Sequence, residues 1–109
     1  MARYSLTLDL KDDPALIAEY ERYHTAIWPE IHDSITSSGI TNMEIYLHDN
    51  RLFMIMETDE TFTFERKAAM DGANPKVQEW EELMWKYQQP LKGAGKGVKW
   101  VLMNMIFQL

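Results

Sequence analysis

Over residues 3–10, Tyr4, Leu6, Leu8 and Leu10 alternate with Ser5, Thr7 and Asp9. A period of two predicts a strand with one face buried. Asp13-Pro14 then signals a helix start: the aspartate caps free amides, and a proline at the first helical position gives up no hydrogen bond. Leu16, Ile17, Tyr20 and Tyr23 or His24 follow at helical spacing along one side. Pro29 predicts a break near Thr25, because its ring clashes with the carbonyl four residues back. It also opens a second short helix, with Glu30 and Asp33 near the positive end and Gly39 as the stop. Residues 41–48 and 51–58 are β-rich runs joined by Asp49-Asn50, two residues that tolerate positive φ, and so predict a hairpin. A helix over 61–70 ends at Gly72. Asn74-Pro75 repeats the cap-then-proline signal and opens a helix to Gln89, stopped by Pro90. On that helix Val77, Trp80, Leu83, Met84 and Tyr87 share a stripe, while Glu79 and Glu82 look outward. A glycine-rich loop over 93–97 leads to a last strand over 98–107.

Strand, helix, hairpin, helix, strand is the order of an α+β domain of ferredoxin-like type, an antiparallel sheet with helices on one face. Two strands break the alternation. Residues 52–56 (Leu-Phe-Met-Ile-Met) and 101–107 are apolar at nearly every position. Strands apolar on both faces are covered on both. Helices cover one face only, so a second copy is expected on the other: a homodimer packed sheet to sheet.

Composition sharpens this picture. The 109 residues form one domain. A chain this short buries only about two-thirds of its unfolded surface, which makes a partner subunit useful. A hydrophobic fraction of 46% with 12% aromatics supports a packed core and argues against disorder. The net charge of −6 disfavours nucleic acid and anionic membranes as partners. No stretch approaches a membrane span, and the strand-like start does not read as a signal peptide. The absence of cysteine fits a cytoplasmic location, without disulfides or thiolate metal sites.

The segment from Tyr20 to Glu30 is the richest in chemistry. Tyr20 and His24 are four apart and meet on one helix face, just before the break at Pro29. Histidine both gives and takes protons near neutrality. The pair reads equally well as a packed, hydrogen-bonded core contact. Trp28 and Trp80 read first as core and second as platforms for a sugar. His32 and His48 read as solvated, and the dispersed spacing of the three histidines does not suit a metal triad. On strand 41–48, Asn42, Glu44 and Tyr46 share a face, which is either a sugar-binding row or an ordinary wet surface. The chain contains no nucleophile elbow, phosphate loop or dinucleotide fingerprint, and nothing calls for a cofactor.

These residues resemble the L-rhamnose mutarotase family along the whole length. The resemblance runs through Tyr20-x-x-x-His24, Ile27-Trp28-Pro29-Glu30, Asn42-x-x-Ile45-Tyr46-Leu47 and Gln78-x-Trp80. It implies a dimeric α/β barrel without metal, acting on a small-molecule sugar, with His24 as the proton donor and Tyr20 and Trp80 binding the sugar. Two sugar-contact positions depart from the rhamnose pattern: Met43 stands where Tyr is usual, and Trp80-Glu81 where a Trp-Trp pair is. Met43-Glu44-Ile45-Tyr46 and residues 65–71 look more like the L-fucose branch. The implied activity is exchange of α and β anomers of a 6-deoxy-L-hexose through ring opening, with Tyr20, Glu44 or a water as the partner of His24. Two other functions suit the same fold: a haem-degrading or cofactor-independent monooxygenase, and a non-catalytic ligand-binding module.

Overall fold

A computed structural model describes residues 2–95 and 97–109, so Lys96 in the expected loop lies outside the described residues. Strand β1 (Ala2–Leu10) leads to helices α1 (Pro14–Thr25) and α2 (Pro29–Ser37). The hairpin follows as β2 (Ile40–His48) and β3 (Arg51–Thr58), then helices α3 (Phe64–Gly72) and α4 (Pro75–Trp85). Two short strands close the chain, β4 (Gln88–Gln89) and β5 (Val101–Leu102).

The sheet is antiparallel in the order β2-β3-β1-β4, with β5 also pairing β1. β1 is its spine: it matches β3 from Ala2 opposite Thr58 to Asp9 opposite Arg51. On its other side Leu10 faces Gln88, while Leu6 faces Leu102. Two short segments therefore share the place of one fourth strand. Alternation decides the faces, since Leu6, Leu8, Leu10, Leu52, Met54 and Met56 are all buried beneath the helices. Each such side chain contributes about 1.5–3 kcal/mol relative to exposure.

The local signals act as the residue types dictate. The Asp13 carboxylate accepts from the amides of Ala15 and Leu16, and Asn74 does the same for Lys76 and Val77. α1 stops at Thr25, before Pro29. The hairpin turns at Asp49, which takes φ of 53°. α3 begins at Phe64, not Thr61, because Asp59 already accepts from the Thr61 amide and hydroxyl, while Thr63 caps the Arg66 amide.

Two expectations fail in the C-terminal third. α4 ends at Trp85 rather than Gln89. The Tyr87 amide bonds back to the Met84 carbonyl, and the Tyr87 carbonyl accepts from the Lys11 amide at 2.8 Å, drawing Gln88 and Gln89 onto the edge of β1. The last strand spans only Val101–Leu102 instead of 98–107. The Met103 amide still donates to the Ser5 carbonyl at 2.8 Å, but residues beyond it pair with no strand among the described residues. Met105, Ile106 and Phe107 are accordingly exposed. No helix among the described residues is long and apolar enough to cross a membrane.

Candidate active site

A cavity of about 790 Å³ opens between the helix-facing side of the sheet and the four helices. That volume lies within the range of small-molecule sites. α1 contributes Tyr20 and His24, β2 contributes Met43, and α4 contributes Trp80 and Glu81. Five of the seven residues singled out from the sequence therefore line one space.

The other two do not. Trp28 stands behind the wall, its ring edge-on to Trp80 at 5.1 Å between centroids, and supports that indole from outside the cavity. Tyr46 lies on the opposite face of the sheet and is 54% exposed. Its hydroxyl donates to Glu44 at 2.6 Å, and Asn42 donates to Glu44 and Glu57 at 3.1 Å each. The Asn42-Glu44-Tyr46 row thus lies on the open face of the sheet, away from the cavity, because strand alternation turns Met43 and Ile45 inward and these three outward. His32 and His48 have side chains 67% and 93% exposed, each beside an aspartate.

His24 is the centre of the wall. Its Nδ1 lies 2.8 Å from the Tyr20 carbonyl oxygen. A carbonyl only accepts, so Nδ1 carries the proton and Nε2 of the neutral ring keeps its lone pair. Burial lowers the His24 pKa, partly offset by that hydrogen bond. The ring also stacks against Tyr20 at 4.2 Å between centroids and meets Trp80 edge-on at 5.7 Å. Tyr20 is buried, which pushes its phenol up to about 12, against a smaller lowering by the Gln88 amide. The phenol therefore stays protonated near neutrality. With Tyr20 protonated and Glu44 on the far face, neither supplies a ready base, and the imidazole Nε2 does.

Sequence reasoning gave no site role to the polar lining residues Ser34, Gln88 and Lys99, and noted Lys67 and Asp71 only within the stretch 65–71. Lys67 Nζ pairs with Asp71 at 2.7 Å, and both side chains are mostly buried. Their i, i+4 spacing was readable, but not that this helix face meets a cavity. Lys99 donates to the Glu81 carbonyl at 2.7 Å, lies 4.7 Å from the Trp85 ring centroid, and has its pKa lowered by burial. Being in an irregular segment, it shows no periodic signal. Among the described residues, no three His, Asp or Glu side chains are grouped as for a metal ion.

A model of the L-rhamnose mutarotase family matches residues 3–109. An L-fucose mutarotase of Xanthomonas campestris pv. campestris is 43% identical over 111 residues, covering 100% of this chain and 89% of that protein. Among solved structures, an L-rhamnose mutarotase from Formosa agariphila superposes with a TM-score of 0.72 at 15% identity, covering 100% of this chain and 99% of that one. A dimeric ferredoxin-like protein from an uncultured marine organism gives 0.57 at 12% identity, covering 98% and 96%. At such identities the solved structures speak for the fold alone, which is ferredoxin-like. Neither the monooxygenase nor the binding-module reading is favoured by these matches. On the match over 107 of its positions and the 43% identical relative, the chain belongs to the L-rhamnose mutarotase family.

Proposed function

We propose that this protein is a sugar mutarotase that exchanges the α and β anomers of a 6-deoxy-L-hexose, with L-fucose as its preferred substrate. The observation that carries the reading is a neutral His24, its Nδ1 held by the Tyr20 carbonyl and its Nε2 available, on the wall of a cavity with ample room for a hexose. Mutarotation needs one group to take the anomeric hydroxyl proton and another to protonate the ring oxygen. His24 Nε2 takes the first proton as the C1–O5 bond breaks. The open-chain aldehyde turns about C1–C2, and the imidazolium returns the proton as the ring closes. One residue is thus base on opening and donor on closure. Tyr20, protonated and stacked on the imidazole, is the candidate partner for the ring oxygen.

L-fucose is favoured by Met43 and Glu81, which replace aromatic side chains of the rhamnose pattern at the cavity wall. A carboxylate accepts from two sugar hydroxyls, whereas an indole offers one donor and a flat face. The apolar wall from Met43, Met54 and Ile45 suits the C6 methyl group of a deoxy sugar. The proposal includes a cytoplasmic homodimer, supported by the open apolar side chains of the C-terminal segment and by the dimeric state of a protein with this fold.

Saturation-transfer NMR on a panel of sugars with L-fucose and L-rhamnose tests the reading. The parent should accelerate exchange, most for L-fucose. His24→Ala should fold normally and lose about 10²–10⁴-fold of the exchange rate. Undiminished exchange by the purified variant would remove His24 from the mechanism.

A further inference from the structure

Gln88 is an orphan in this cavity. The residue is 4% exposed, and Oε1 is the buried side-chain oxygen or nitrogen left without a hydrogen-bond partner among the described residues. A buried amide oxygen without a hydrogen-bond partner is destabilising, because it has given up water and gained nothing in return. A residue with that cost at a cavity wall either meets a ligand or is an expensive packing element.

Three features favour a ligand. First, Gln88 lines the same cavity as Tyr20, His24, Trp80 and Glu81. Second, its backbone is fixed, because β4 pairs it with Leu10, itself wholly buried. The Gln88 side chain therefore starts from the cavity side of the sheet. Third, the side chain lies beside the Tyr20 phenol and modestly lowers its pKa, so both groups look into the same part of the cavity. The next residue, Gln89, is exposed, so the burial is particular to Gln88.

We infer that Gln88 is a substrate-binding residue, whose Oε1 accepts a hydrogen bond from a sugar hydroxyl at the Tyr20 end of the cavity. This rests on the sugar-binding part of the mutarotase reading. It makes Gln88 a link between the hydroxyl pattern of the sugar and the Tyr20–His24 pair.

The unmutated protein gives the first test. Adding L-fucose should shift the side-chain carboxamide resonances of Gln88, and an unmoved carboxamide would overturn the contact. A second arm compares binding of L-fucose and its 2-, 3- and 4-deoxy analogues, followed by tryptophan fluorescence, in the parent and Gln88→Met. In the parent, loss of one particular hydroxyl should weaken binding about 5- to 150-fold. Gln88→Met should bind L-fucose more weakly by a similar factor, with KM moving more than kcat, and should no longer distinguish that analogue. If the variant discriminates among the analogues as the parent does, Gln88 is a packing residue. The two readings separate cleanly: binding with a shifted carboxamide but no anomer exchange supports Gln88 and defeats the mutarotase reading. Exchange with an unmoved carboxamide does the reverse.

Discussion

His24 sits in the last turn of α1, where unpaired carbonyls favour a cation by about 0.3–1 kcal/mol, less than one pKa unit. Burial works the other way and reaches several units for fully enclosed groups. Half-buried as it is, His24 follows the larger effect, and its pKa falls below the ordinary value of about 6.5. The neutral ring is the form with an available Nε2. Exchange should therefore be flat near neutrality and fall as pH drops through the lowered His24 pKa, with the midpoint below 6.5. A pH–rate profile reads this directly, and a midpoint above 6.5 would contradict the assignment. The same shift has a consequence for stability. The unfolded chain takes up the proton first, so the contribution of His24 is complete above about pH 6.5 and is lost as pH falls toward the folded value.

At the scale of elements, capping and turn chemistry hold the frame of the cavity. Gly39 is the sharpest case. It follows α2 with φ of 100°, and its carbonyl accepts from the Asp59 amide at 2.8 Å. A Cβ there would stand 2.6 Å from an Asp59 carboxylate oxygen and 2.7 Å from the Thr61 hydroxyl. Gly39→Ala thus meets both an unfavourable backbone and an occupied space. It should destabilise by at least the roughly 1–3 kcal/mol of a strained left-handed residue, seen as a lower urea midpoint with unchanged slope. An unchanged midpoint would mean that the segment relaxes at no cost. α4 shows the opposite balance. Its N-terminal cap is local and strong, but its C-terminal end is decided by Tyr87, almost wholly buried against Tyr20 and Tyr23.

For the whole molecule, the sheet has one face covered by helices and one open face. Phe53 and Ile55 sit among Ser5, Thr7, Glu44 and Tyr46 on the open side, and Met105, Ile106 and Phe107, beyond the last strand, add exposed apolar groups. Apolar groups collected in this way mark an interaction surface more often than a free one. Light scattering at micromolar concentration should give twice the mass of one chain. Ile55→Asp, which places a charge on that face away from the cavity, should shift the protein toward monomer. A monomeric parent would show that these side chains stay open to solvent.

The sequence alone determined whatever depends on neighbours a few residues apart. Asp13, Asn74 and Pro29 set helix starts and a break, alternation in β1 set its buried face, and i, i+4 spacing put Tyr20 beside His24. These are short-range effects of capping, ring sterics and period, which act whatever the rest of the chain does. The family motif, itself a local pattern, carried the residue roles further than spacing could. Only the tertiary structure decided that α4 gives way to a strand at Gln88, because the Lys11–Tyr87 hydrogen bond joins residues far apart in sequence. It alone separated Met43, inside the cavity, from Tyr46, outside it, and set Trp28 behind Trp80. It alone brought Lys67, Gln88 and Lys99 to one wall. Those placements rest on which surfaces meet when sheet and helices close on one another, and no period within a single element encodes that.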